Sequence, residues 1–268
     1  MNILFRKLIR DIKEAKGQFI SIFIVVTLGV MFYSGINGTF RNLSIAKDEY
    51  YKEYRFADIW ADVYKAPESI VKRVKSLPFV KAAEGRIIKD TSMDIAGESA
   101  TVRLITLPDK KKDIVNDIAM QSGSYFSAED INQCILEDGF LKANGFKIGD
   151  YIYPIINGNK VKMKIIGSAR SPEFVYPLKD GSELMVDYTK FGIIYIKESF
   201  GQAIFGLDGL INNISLLLKD GYDVEDAKDE IEKALRTYGV SNVIDRDGQI
   251  SNSMLKTEIE GLKSSGSA

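Results

Sequence analysis

Apolar positions along the chain change period several times, and each change marks an element. From Gly17 to Ile36 the sequence GQFISIFIVVTLGVMFYSGI runs for twenty residues without a charge, the length a helix needs to cross the hydrocarbon core of a bilayer. Ahead of it, Leu4, Phe5, Leu8, Ile9 and Ile12 recur at helical spacing against basic residues, which predicts an amphipathic helix over 1–16 lying on the inner membrane surface. Residues 17–38 are expected to span the membrane. Residues 39–55, TFRNLSIAKDEYYKEYR, contain neither proline nor glycine and predict a stalk helix that continues out of the membrane.

At Ala57 the period switches to two, and Asp58-Ile59-Trp60-Ala61-Asp62-Val63 alternates polar and apolar as a half-buried strand does. Pro67 fits the first turn of a short helix to about Leu77, with Ile70, Val71 and Val74 on one face. A strand over 80–93 and a hairpin partner over 98–107 follow. The same strand, helix, strand order returns late in the chain, with strands at 213–218 and 241–244 around a helix at 224–238. Two such units at the ends of one domain predict an α+β fold in which 56–125 and 201–248 form a split ferredoxin-like βαβ half. Residues 126–200 instead carry short β-rich runs punctuated by glycine, and Asn157-Gly158 between Tyr151–Ile155 and Val161–Ile165 is a hairpin signal. They read as an inserted β-rich subdomain. Residues 249–268 are helical in composition up to Leu262 and predict a second stalk returning toward the membrane.

Charge gives this layout a direction. Residues 1–16 hold Arg6, Lys7, Arg10, Lys13 and Lys16 against Asp11 and Glu14, while the whole 268-residue chain has a net charge of −1. By the positive-inside rule the N-terminus is cytoplasmic and everything after residue 38 is extracellular or periplasmic. A cleaved signal peptide is the rival reading, but the apolar run is long for one and Ser34-Gly35-Ile36-Asn37-Gly38 is a poor cleavage site. The acidic balance of the remainder argues against nucleic acid as a partner.

Composition also excludes much chemistry. The chain has no histidine and one cysteine, Cys134, which removes histidine-dependent triads, the commonest zinc sites and any intrachain disulfide. No G-x-x-x-x-G-K-[ST] phosphate-binding loop is present. Ser44-x-x-Lys47 and Ser69-x-x-Lys72 spell S-x-x-K without an accompanying K-T-G and read as coincidence. Acidic pairs such as Glu129-Asp130, Glu137-Asp138 and Asp245 with Asp247 lack the calcium-loop pattern and read as solvated turns. Neither a catalytic residue, a metal site nor a cofactor is expected.

Two features remain as candidate sites. In Ser171-Pro172-Glu173-Phe174-Val175-Tyr176-Pro177, two prolines stiffen a loop, and Phe174 and Tyr176 are candidates for contact with a partner or substrate, against the alternative that both rings pack inward. Ser34 with Gly38, and Gly35 with Thr39, place small residues at four-residue spacing where a second membrane helix could approach.

The succession of basic start, membrane helix, stalk, βαβ unit, a β-rich insertion opened by Gln133-Cys134-Ile135-Leu136-Glu137-Asp138-Gly139-Phe140, then Gly145-x-x-x-Gly149-Asp150 and Ile165-Ile166-Gly167, resembles the FtsX-like permease family of ABC transporters with a MacB-type periplasmic core domain. The resemblance implies a porter-like subdomain with a sabre-like insertion between membrane helices one and two, a separate ABC ATPase subunit on the cytoplasmic side, and the remaining membrane helices of the permease as neighbours. It also implies a non-catalytic subunit that couples ATP hydrolysis to export or to mechanical signalling, with an extracytoplasmic protein, peptide or lipid as a further partner. A single-pass receptor or adhesion module without an ATPase is the alternative.

Overall fold

The computed structural model describes residues 3–183 and 185–265, which fall into two compact units, one drawn from the two ends of the chain and the other from Glu49–Leu255. In the first, α1 (Ile3–Glu14) is followed by α2 (Lys16–Glu53). α1 exposes Phe5, Leu8, Ile9 and Ile12 together with its basic residues. The Leu4 side chain, and residues 266–268 of the expected returning stalk, lie outside the described residues. Among the described residues α2 is the one helix long and apolar enough to cross a membrane. The expected membrane span and stalk are a single uninterrupted helix, since nothing between Gly17 and Glu53 breaks it.

The larger unit begins with β1 (Ile59–Pro67), α3 (Ile70–Lys75), β2 (Val80–Arg86), β3 (Ile88–Ile95), β4 (Glu98–Leu107), β5 (Ala119–Gly123) and β6 (Gln133–Glu137). It continues with α4 (Asp138–Ala143), β7 (Tyr151–Ile152), β8 (Ile155–Ile156), β9 (Asn159–Lys160), β10 (Met163–Arg170), β11 (Phe191–Lys197) and α5 (Glu198–Phe205). It closes with β12 (Leu210–Leu218), α6 (Val224–Leu235), β13 (Val240–Asp245) and the start of α7 (Ile250–Ser265).

Four strands pair in the order β13-β1-β12-β2, all antiparallel. With α3 between β1 and β2 and α6 between β12 and β13, this is the ferredoxin-like βαββαβ arrangement expected from the two repeated units. Period-two alternation sends Ile59, Ala61 and Val63 of β1, and Ile214 and Leu216 of β12, to the face covered by both helices. There they meet Ile70, Val71 and Val74 of α3 and Ala227, Ile231 and Leu235 of α6.

The second sheet has nine strands, in the order β5-β10-β6-β11-β4-β3-β8-β9 with β7 on β10. Strand β11 is buried along its whole length, because Ile194 and Ile196 enter a core with Phe140 and Phe200 on one face while Phe191, Ile193 and Tyr195 enter a core with Ile114 and Ile118 on the other. A Cβ on Gly192 would lie 2.4 Å from the Phe140 ring, so close approach of α4 to β11 requires glycine there.

The structure corrects four expectations. The single strand predicted over 80–93 is two strands, because the chain leaves the first sheet at Arg86 and enters the second at Ile88. Residues 88–123, expected within 56–125 of the ferredoxin-like half, therefore pair in the second sheet, where the run Leu104-Ile105-Thr106-Leu107 is buried on both faces. Pro67 ends β1 instead of opening a helix, sitting opposite Leu210 past a register shift. The Asn157-Gly158 turn does form, with both residues at positive φ, but it joins only β8 to β9, while β7 pairs separately with β10 beyond Pro154.

Candidate functional site

The face of the four-stranded sheet turned away from its helices carries a polar row. Asn242, Asp62, Asn213 and Arg86 stand directly opposite one another on β13, β1, β12 and β2. Asn213 Nδ2 donates to Asp62 Oδ1 at 2.6 Å, and Arg86 Nε donates to Asn213 Oδ1 at 2.8 Å. The Arg86 guanidinium then reaches the other sheet's connections and forms a two-pronged ion pair with Glu173, at 2.7 and 2.5 Å. Both residues are only 5% exposed. Burial pulls the Arg86 pKa down, and the charge and hydrogen bonds of Glu173 more than offset it, leaving the guanidinium more firmly protonated than usual.

Glu173 gathers three further segments. Asn116 Nδ2 donates to its carboxylate at 3.2 Å, and Asn116 itself holds a positive φ of 57° while accepting from Ala57 N at 2.7 Å. Gln249 Nε2 donates to the Glu173 carbonyl at 2.6 Å, and Gln249 Oε1 accepts from Asn252 N at 2.6 Å at the start of α7. Asn252 Oδ1 accepts from the Tyr51 hydroxyl at 3.0 Å, in the last turns of α2. Arg246 closes the seam, donating to the carbonyls of Phe56 and Ala57 at 2.7 and 2.9 Å with its guanidinium 5.1 Å from the Phe56 ring. Hydrogen bonds thus run from both ends of the unit's chain through one buried ion pair that joins the four-stranded sheet to the loop after β10.

Beside this seam lies a cleft of about 540 Å³. Asp62, Asn213 and Asn242 line it from the ferredoxin-like sheet, Lys89 and Arg103 from β3 and β4, and Phe174, Tyr176 and Leu178 from the loop after β10. Arg103 is held by Asp90 through paired bonds of 2.7 and 2.8 Å and donates to the Lys179 carbonyl at 3.2 Å.

The structure places Phe174 and Tyr176 together on this cleft. Phe174 sits on a 3-10 turn that Ser171 caps by accepting from Glu173 N, and one side of its ring packs against the Ile105 and Tyr195 core. Tyr176 is half-buried, and its backbone N–H donates to Ser251 Oγ at 2.9 Å. Ser34 and Gly35 are exposed on α2 and Gly38 is half-buried, with open space where a Cβ on either glycine would point. Gly35 and Thr39 line a shallow apolar groove with Leu28, Met31, Phe32, Ile36 and Leu262, whereas Ser34 and Gly38 lie outside it.

Other motifs have local structural roles. Glu137 caps α4 by accepting from Phe140 N, Asp138 is bound by Lys142, Ser168 and Arg170, and Asp245 accepts from Gly248 N and pairs with Lys228. Lys47 pairs with Asp48, and the Ser69 side chain makes no cap to α3. Cys134 is buried in a core, and burial pushes its thiol far above the usual range. Among the described residues no group of three or more acidic or thiol ligands is arranged to hold a metal. Arg86, Glu173, Asn116 and Gln249 escaped the sequence reading. The available signal was two adjacent amides, Asn212 and Asn213, interrupting an otherwise apolar strand, and a carboxylate between Pro172 and Phe174.

The decisive comparison is with protein families, where the profile of the MacB-like periplasmic core domain matches residues 19–234. The chain belongs to this family. Among solved structures, the periplasmic region of MacB from Actinobacillus actinomycetemcomitans is similar at 10% identity with a TM-score of 0.46, the match covering 78% of this chain and 95% of that one. The extracellular domain of the noncanonic ABC-type transporter YknZ from Gram-positive bacteria is similar at 13% identity with a TM-score of 0.43, covering 69% of this chain and 99% of that one. No curated protein matches the sequence.

Proposed function

We propose that this chain supplies the first membrane-spanning helix and the extracytoplasmic domain of an ABC transporter permease subunit, and that it couples ATP hydrolysis by a separate ATPase subunit to export or to mechanical signalling. The observation that carries this reading is the seam. The last turns of α2, at Tyr51, and the first turn of α7, at Gln249 and Asn252, are hydrogen-bonded through Glu173, on the loop after β10, and Arg86 to the four-stranded sheet. A displacement of either helix end would therefore reach the cleft through groups that break discretely, the physical requirement for passing motion between sites. The basic N-terminus faces the cytoplasm in this reading, and the small residues Ser34, Gly35 and Gly38 pack against the remaining membrane helices of the permease. Phe174 and Tyr176 contact the substrate or an extracytoplasmic protein, peptide or lipid partner. The subunit itself is non-catalytic.

Purification of the protein from its native membranes in detergent tests this. Expected is a stable complex with an ATPase subunit that hydrolyses ATP, in which Phe174→Ala with Tyr176→Ala leaves basal hydrolysis intact and abolishes its response to substrate. Recovery of the protein alone, with no ATPase bound, would overturn the reading in favour of a single-pass receptor or adhesion module.

A further inference from the structure

We infer that the solvent face of the β7 and β10 pair, at one end of the nine-stranded sheet, is a docking surface for an acidic protein segment that carries apolar side chains. Residues 147–164 hold four lysines against one acid, Asp150, in a chain that is acidic in balance beyond its first sixteen residues. The pairing shows where these charges go. Ile152 stands opposite Met163 and both are buried, so alternation sends Tyr151 and Tyr153, with Lys162 and Lys164, to the opposite, solvent side. Tyr151 is 43% and Tyr153 45% exposed.

Two exposed aliphatic residues lie on segments hydrogen-bonded to β10 or the residue before it, through Gly149 N to the Ile165 carbonyl and Asn132 to the Lys162 carbonyl. Ile148, on the turn leading into β7, is 47% exposed, and Ile131 is 57% exposed beside Asn132, whose Nδ2 donates to the Lys162 carbonyl at 3.0 Å. The lysines of residues 147–164 are weakly compensated. Lys162 Nζ lies 3.9 Å from the centre of the Tyr151 ring, Lys164 reaches Asp130 only at 3.9 Å, and neither Lys147 nor Lys160 forms an ion pair among the described residues. Exposed tyrosine and isoleucine rimmed by charge of one sign is the composition of an interface core with a complementary rim. A simple polyanion would satisfy the lysines and leave the four apolar side chains wet. An acidic segment with apolar side chains covers both.

The test uses the full chain in lipid nanodiscs and a fluorescent amphipathic peptide built from Glu and Leu at heptad spacing, read by anisotropy, and its outcome does not depend on whether an ATPase binds. Saturable binding is expected, weakened roughly tenfold by Lys162→Glu with Lys164→Glu, and by a similar factor by Tyr151→Ala with Tyr153→Ala. Unchanged thermal midpoints exclude misfolding, and Lys162→Gln with Lys164→Gln is the milder pair should the charge reversals unfold. Absence of saturable binding would overturn the proposal. So would equal binding of sodium polyphosphate, insensitive to the tyrosine substitutions, which would mark a generic polyanion surface.

Discussion

The two sheets of the larger unit solve the same packing problem in different ways. The nine-stranded sheet buries both faces of its central strand, so β11 reads as a continuous apolar run and its two sides are occupied by separate cores. The four-stranded sheet buries one face under α3 and α6 and lays a polar row across the other. A strand covered on both faces, as β11 is, has no surface left for a ligand. The half-covered sheet has a face whose polar groups must find partners: Arg86 finds Glu173, and Glu173 is in turn bound by Asn116 and Gln249, from two other distant parts of the chain. The difference separates scaffold from joint.

Breaking the joint should have the largest effect. Arg86→Met leaves Glu173 buried without its counter-ion and is expected to cost about 3–5 kcal/mol in denaturant unfolding, while Arg86→Met with Glu173→Leu recovers most of that loss because no charge remains stranded. If the double variant is no more stable than the single, the pair is not the element that joins the four-stranded sheet to the loop after β10. On the scaffold side, Gly192→Val forces a Cβ within 2.4 Å of Phe140 and is expected to cost about 1–3 kcal/mol, with Phe140→Ala in the same chain making the substitution more tolerable. A chain indifferent to Gly192→Val would show that α4 does not pack tightly against β11.

Smaller effects sharpen the contrast. Asp223 accepts from the backbone N–H groups of Glu225 and Asp226 at the start of α6, and Asp223→Ala is expected to cost about 1 kcal/mol without altering binding in the cleft. The smallest effect concerns pH. Burial raises the Asp138 pKa, but hydrogen bonds from Lys142 and Ser168 and the nearby Arg170 charge outweigh it and hold the carboxyl below the ordinary aspartate range. A depressed carboxyl contributes stability above its unfolded pKa and loses it as pH falls through the folded value. Asp138→Asn should therefore flatten the acid limb of the stability profile and leave the neutral region nearly parallel to the parent. An unchanged acid limb would sink that account.

Much of the fold was legible because its signals are local. The uncharged run from Gly17, the βαβ order at both ends, and Asn157-Gly158 each act over a few residues, where period and turn chemistry decide the outcome. The break at Arg86 was not legible. A strand continuing from Val80 to Met93 and two strands meeting at Ile87 have the same alternation, and only the competition of two sheets for the chain divides them. Phe174 and Tyr176 stood out by residue type and loop chemistry. Glu173 between them did not, since an acid in a loop is ordinarily solvated and its burial depends on an arginine 87 residues earlier.

By itself the sequence determined the α+β class, the apolar helix, the ferredoxin-like half and the lack of histidine and of an intrachain disulfide, because these follow from composition and short-range periodicity. Tertiary structure alone decided which sheet each strand joins, that Arg86 and Glu173 meet in a buried pair, and that the Phe174 and Tyr176 loop lines a cleft over the polar face. Those outcomes depend on long-range partners, and a buried charge is tolerated only where the whole fold brings its counter-charge and remaining hydrogen bonds to the same place.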